Sequence, residues 1–244
     1  MRVIIKHIMY LVIIMELIES HFNTLCGNLT YDESTDTYEM FSNKLGIKKH
    51  INYLTFKKLF EQMEGLKNPY ILESGIASAG TNSTYLFNEY VKKYGGFFWS
   101  VDTNQRLVDL HKGNMCPATE LICHDSVAFF KNWSKSHDVV NVIYLDSYDL
   151  DFYNPFPSGN HGLAEYKSLM PVIKKDTLLL IDDTPIDPYW LDTRNMVYND
   201  MCKYYINNNN TLPGKGMFVL NEITNANKLI HNYQVLYKFY DVPF

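Results

Sequence analysis

From Lys49 onward the chain switches between two hydrophobic rhythms. Ile51, Leu54, Phe56, Leu59, Phe60 and Met63 recur at helical spacing and stop before Gly65, which predicts a helix over 49–63. The run PYILES after Pro69 reads as a short buried strand, and Ser83 to Tyr94 as a helix ended by Gly95–Gly96. FFWSVD is a second strand, Asn104 to His111 a short helix, Ala118 to His124 a third strand, and Ser126 to Trp133 a helix. DVVNVIYLD is apolar nearly throughout, as a central parallel strand is. A loop over Ser147 to Asn160, a helix over Gly162 to Met170 and the strand DTLLLIDD complete the alternation. Strand and helix in turn predict an α/β fold with a doubly wound parallel sheet.

The ends of the chain read differently. After an irregular loop, a helix is expected over Thr193 to Ile206, then the turn LPGKG, a strand GMFVLN and a last alternating strand HNYQVLYKFY. Two late strands predict an antiparallel hairpin at the sheet edge. Residues 1–18 are apolar but interrupted by Lys6, His7 and Glu16, too short and broken for a membrane span. No small-residue cleavage site follows, so they read as a helix packed on the main domain or in a homodimer contact. His21 to Gly46 is polar and reads as a flexible connection or a lid. The expected division is therefore an N-terminal segment, 1–48, and a single large domain, 49–244.

Composition narrows the partners. The 244 residues are 46% apolar and 20% charged, enough for a substantial core. A net charge of -5 argues against a duplex-binding surface, which needs clustered Lys and Arg. A small-molecule substrate suits this balance better than nucleic acid or membrane. Four scattered cysteines with no CxxC pair fit reduced thiols in a cytoplasmic protein. The sequons at Asn28, Asn82 and Asn132 read as chance, since a glycan on Asn82 would block a glycine-rich loop.

That loop, ESGIASAGT, follows the first strand and brings Glu73, Gly75, Ala77, Gly80 and Ser83 to its mouth. Ligands of open parallel sheets bind outside the carboxyl ends of the strands. Asp102, Asp146, Asp182 and Asp183 fall at further strand ends. The loop is not GxGxxG, and no GxxxxGK[ST] is present, so a cofactor without phosphates fits better than a dinucleotide or nucleoside triphosphate. Glu73 is expected to meet a cationic or hydrogen-bond-donor part of it, and Asp102 the hydroxyls of a ribose. Asp125 either reaches an adenine amino group or caps the helix from Ser126.

This ordered set resembles the class I S-adenosylmethionine-dependent methyltransferases, over roughly Tyr70 to the C-terminus. The resemblance implies a Rossmann-like, seven-stranded, mostly parallel sheet with an antiparallel C-terminal strand, and S-adenosylmethionine as cofactor. VIYLDSYDL and KKDTLLLIDDT further resemble the cation-dependent O-methyltransferases, the catechol-directed enzymes and their sugar-modifying relatives. That likeness implies Mg²⁺ on Asp146, Asp182 and Asp183, hard oxygen ligands of the kind magnesium prefers. The catechol enzymes carry a lysine shortly after the fourth-strand aspartate, whereas this chain reads Asp146-Ser-Tyr-Asp-Leu-Asp. His161 is the replacement base, with Tyr148 and Asp149 as secondary candidates beside Asp146. Tyr189, Trp190 and Arg194, with Phe152 to Asn160, form the expected acceptor wall. The function expected is methyl transfer to a hydroxyl of a small acceptor, a sugar or glycoside before a catechol. The alternatives are a metal-independent methyltransferase, a dinucleotide-dependent oxidoreductase and a non-catalytic binding module.

Overall fold

A computed structural model describes residues 14–25, 29–32, 37–40, 48–76, 80–151, 153–186, 196–209 and 211–242. Residues 14–24 are helical (α1). They are followed by β1 (Leu29–Asp32), β2 (Thr37–Met40), β3 (Lys48–His50), α2 (Tyr53–Gln62), β4 (Tyr70–Ser74), α3 (Ser83–Tyr94) and β5 (Phe97–Asp102). Next come α4 (Gln105–Lys112), β6 (Thr119–Cys123), α5 (Ser126–Trp133), β7 (Val140–Leu145), α6 (Phe156–Leu169) and β8 (Ile173–Ile181). The chain closes with α7 (Met196–Asn209), α8 (Val219–Glu222), β9 (Ala226–His231) and β10 (Val235–Phe239).

The main sheet has seven strands in the order β6-β5-β4-β7-β8-β10-β9. Strands β4 to β8 are parallel, and β10 enters antiparallel between β8 and β9. This is the expected Rossmann-like sheet, mostly parallel with an antiparallel C-terminal strand. The switch of direction between β4–β5 and β4–β7 opens the crevice where such sheets hold ligands.

Alternation along each strand feeds two cores. Ile71, Phe98, Val142, Tyr144, Leu178 and Leu180 face one side, where they bury Ile14, Ile18 and Phe22 of α1 with Phe56 and Phe60 of α2 and Phe87 of α3. Leu72, Val101, Ile143, Leu145, Leu179 and Ile181 face the other and meet Phe130, Tyr166 and Val219. Strand residues one apart thus serve opposite layers, as the period of two requires.

Three expectations are corrected. The helix expected from Lys49 begins at Tyr53, because 48–50 pair with β1 as β3. Within His21 to Gly46, β1 and β2 belong to an antiparallel sheet ordered β2-β1-β3. The loop expected to reach Asn160 ends at Phe156, where Pro157 suits the first turn of α6. GMFVLN is not a strand. Its glycine end turns against Asp183–Thr184, its second half is α8, and the outer strand of the terminal hairpin is ANKLIH, β9.

Among the described residues, no helix is long and apolar enough to cross a membrane.

Candidate functional site

A cavity of about 550 Å³ opens at the carboxyl ends of β4, β5 and β7. That is the size of a small-molecule site. Gly75, Asp102, Ser126, Asp146, Tyr148, Asp149 and His161 all line it. Gly75 sits at φ +87°, and a Cβ there would lie 2.5 Å from the carbonyl oxygen of Asp146. The turn after β4 therefore passes against the end of β7 with no room for a side chain. Its N–H donates to the Val101 carbonyl at 2.8 Å, tying the turn to β5 as well. Gly80 also has positive φ, +66°. Ala77 lies outside the described residues.

Asp102 lines the cavity. Its Oδ2 accepts the Ile76 N–H at 3.0 Å and its Oδ1 accepts the Asn104 N–H at 2.8 Å. Each oxygen keeps a lone pair beside the cavity, so the carboxylate is oriented by backbone and still able to accept from a ligand diol.

Glu73 does not line the cavity, which corrects the expectation that it meets a ligand directly. It is completely buried. Its Oε1 accepts from Ser83 Oγ at 2.6 Å, and its Oε2 accepts from Thr84 Oγ1 at 2.6 Å and Ser100 Oγ at 2.5 Å. Ser83 is thereby also turned away from the cavity's lining. Burial pushes the Glu73 carboxyl up to about 7, against the three hydroxyls that favour its ionised form. The residue joins β4 to the first turn of α3 and to β5, and so braces the two ends of the glycine loop.

Asp125 takes the capping alternative. Its Oδ1 accepts the Ala128 N–H at 2.8 Å at the start of α5. Asp125→Ala is expected to lower stability by about 1 kcal/mol, read by urea denaturation; an unchanged midpoint would discount the cap.

The acidic residues at the ends of β7 and β8 come together. Oxygens of Asp146, Asp182 and Asp183 lie within 4.8 Å of one another. Among them sits a group that the strand-end pattern did not reveal, the ammonium of Lys215. Its Nζ is 2.6 Å from Asp146 Oδ1 and 3.1 Å from Asp183 Oδ2, and the residue is buried. Burial works against its charge, but Asp146, Asp183 and Asp182 outweigh it and hold the ammonium well above the usual lysine range. Asp146 is pushed well above the usual carboxylate range by burial and by Asp182, with Lys215 opposing.

Protein donors also reach each of the three carboxylates. Asp182 Oδ1 accepts from Gln234 Nε2 at 2.7 Å and from Asn52 Nδ2 at 3.3 Å. Asp146 Oδ2 accepts from the Tyr144 hydroxyl at 3.1 Å, and Asp183 Oδ1 accepts from the Tyr233 hydroxyl. The donor chemistry suits Mg²⁺, but the space does not. Magnesium takes near-octahedral oxygen ligands at about 2.0–2.1 Å and keeps several waters. Here an ammonium already bridges two of the three carboxylates. The cluster as arranged does not fit the metal.

On the opposite wall, His161 Nε2 is 2.9 Å from Ser126 Oγ and 3.3 Å from Glu165 Oε1. Glu165 is buried and also accepts from Ser147 Oγ at 2.6 Å. Its hydrogen bond raises the His161 pKa above 6.5, against partial burial. The Tyr148 ring stands 5.4 Å from the imidazole, at φ +62°, and Asp149 is exposed at the mouth. The expected base and its two neighbours thus meet in one place. Tyr189, Trp190, Arg194 and Phe152 lie outside the described residues.

No protein-family model matches the sequence, and no curated protein matches it. Solved structures do resemble it. One is a TehB-like S-adenosylmethionine-dependent methyltransferase from Corynebacterium glutamicum, 12% identical over 75% of this chain and 85% of that one, with a TM-score of 0.40. A methyltransferase of Podospora anserina bound to S-adenosylhomocysteine is 13% identical over 70% of this chain and 72% of its own, with a TM-score of 0.46. A short-chain dehydrogenase/reductase from Brucella melitensis is 12% identical over 58% and 64%, with a TM-score of 0.42. At these identities and TM-scores the likeness assigns neither family nor activity.

Proposed function

We propose that the protein is an S-adenosylmethionine-dependent methyltransferase acting on a hydroxyl of a small polar acceptor, a sugar or glycoside. The observation that carries the reading is Asp102 beside Gly75. A carboxylate oriented by two backbone amides, and a turn without a side chain, face one cavity at the strand ends. That pairing suits a ribose diol and needs no phosphate cradle. The polar opposite wall of Ser126, Tyr148, Asp149 and His161 suits an acceptor rich in hydroxyls.

Gly75 and Asp102 would hold the cofactor, which would supply the methyl group for the acceptor oxygen and be released as S-adenosylhomocysteine. His161 takes the hydroxyl proton, and Glu165 at 3.3 Å stabilises the imidazolium that results. Asp146 closes the cavity where the turn after β4 meets β7. The magnesium assistance implied by the family resemblance is left out of this reading, because Lys215 stands between the carboxylates. Cys116, Cys123 and Cys202 are free thiols, which suits the reducing cytoplasm proposed for the protein.

Calorimetric titration with S-adenosylhomocysteine tests the reading. The wild type is expected to bind it and Asp102→Ala to bind it roughly ten- to a hundredfold more weakly, the effect of losing charge-assisted hydrogen bonds. Failure of the wild type to bind, or preferential binding of NAD⁺, would turn the assignment towards a dinucleotide enzyme.

A further inference from the structure

Lys215 is held by its backbone as firmly as by its charge. Its N–H donates to the Asp183 carbonyl at 3.0 Å, and the Gly216 N–H donates to Thr184 Oγ1 at 3.0 Å. The glycines on either side leave no slack. A Cβ on Gly214 would lie 2.6 Å from the Asp183 carbonyl oxygen, and one on Gly216 would lie 2.7 Å from the Thr184 side chain. From the other side, α6 approaches so closely that a Cβ on Gly162 would lie 2.5 Å from the Lys215 carbonyl oxygen. Three glycines thus clamp one lysine against the end of β8, and the clamped lysine delivers its ammonium to Asp146 and Asp183.

We infer that Lys215 is the permanent cation of this aspartate cluster and stands in the place of a divalent metal, so that ligand binding at the cavity is independent of divalent ions. Two physical arguments support it. The positive charge neutralises carboxylates that would otherwise repel one another at the junction of β7 and β8. It also comes with the fold, whereas a metal would have to expel a buried ammonium and strip itself of water at the same time. Lys215 is then a positioning residue: it fixes Asp146, which lines the cavity, while Lys215 itself lies behind it. Only the identity of the ligand beside Asp146 rests on the methyltransferase reading; the cation's role does not.

The test uses full-length protein and Mn²⁺ as a paramagnetic probe, read by electron paramagnetic resonance with Mg²⁺ as competitor. Wild type is expected to hold no Mn²⁺ below the millimolar range, and its affinity for S-adenosylhomocysteine should be the same with and without EDTA. Lys215→Met, which keeps the apolar stem and removes the charge, should bind Mn²⁺ at least tenfold more tightly than wild type, and adding Asp183→Asn should abolish the gain. Micromolar Mn²⁺ binding by wild type that disappears in Asp183→Asn would overturn the inference. So would a folded Lys215→Met that binds Mn²⁺ no better than wild type. If Lys215→Met does not fold, the wild-type and Asp183→Asn titrations decide alone. A wild type that ignores both Mn²⁺ and S-adenosylhomocysteine would sink the methyltransferase reading and leave the lysine's role standing.

Discussion

Gly75→Ala is expected to destabilise the protein by about 2–5 kcal/mol and to abolish measurable binding of S-adenosylhomocysteine. Two effects add. A left-handed backbone costs an L-residue roughly 1–2 kcal/mol, and Gly75 sits at φ +87°. Overpacking costs roughly 1–3 kcal/mol more. The new Cβ would lie 2.5 Å from the Asp146 carbonyl oxygen and 3.0 Å from its carbonyl carbon. Both are main-chain atoms of a central strand end, so neither can rotate away. Either the turn moves off β7, carrying Ile76 from the Asp102 carboxylate it donates to, or the end of β7 shifts and takes Asp146 with it. Each route deforms the cavity. Gly113→Ala is the control, since a Cβ there meets nothing within 4 Å. Urea denaturation and calorimetry on both variants decide the matter. A Gly75→Ala protein that unfolds at the wild-type midpoint and binds ligand normally would show that the close approach has no consequence.

The interior strands and several helices were legible because their signals are local. FFWSVD became β5, and the helices expected over Ser83–Tyr94 and Ser126–Trp133 became α3 and α5 with the same bounds. A parallel strand buried on both faces is a continuous apolar run, and a helix start marked by Asp125 or an end marked by Gly95 needs no tertiary information. The failures fall where the local pattern says the opposite of the environment. ANKLIH carries two consecutive polar residues and is only partly buried, as the outermost strand of a sheet is, so it reads as loop until β10 pairs with it. GMFVLN is apolar for another reason: Met217 and Val219 are buried in a turn and a short helix. Gly159 and Gly162 lower the helical signal of α6, yet each is there because Met217 or Lys215 packs onto it.

The site divides in the same way. Carboxylates at strand ends stand out in a sequence; the groups that satisfy them do not, because they arrive from far along the chain. In the sequence Glu73 reads as a ligand contact, because its three hydroxyl partners, Ser83, Thr84 and Ser100, sit 10 to 27 positions away. The cation expected between Asp146, Asp182 and Asp183 came as Lys215, 69 residues after Asp146. A signal for it was present in the glycine on each side of Lys215, since paired glycines mark close backbone approach as readily as a turn.

Glu73→Gln is expected to remove a pH-dependent part of the stability worth about 3 kcal/mol. Burial raises the folded-state pKa from 4.5 to about 7, a gap equivalent to roughly 3 kcal/mol at about 1.4 kcal/mol per unit. Because the folded value lies above the unfolded one, the native state binds the extra proton. The contribution is complete below about pH 4.5 and is lost as the pH rises through about 7. Glutamine carries no such proton, and the hydroxyls of Ser83, Thr84 and Ser100 can rotate to meet its amide. The stability of wild type relative to Glu73→Gln should therefore fall steadily across that window and level off above it. His50 and His231, both lowered to about 4 chiefly by burial, act in the opposite direction, losing stability as the pH drops. They are present in both proteins, so the difference between the two isolates Glu73. Urea denaturation of each from pH 4.5 to 8 gives the measurement, and parallel curves would show that Glu73 does not titrate in the fold. Since Glu73 braces the glycine loop from behind, its substitution should weaken S-adenosylhomocysteine binding less than Asp102→Ala does, and the reverse order would return it to direct contact with the ligand.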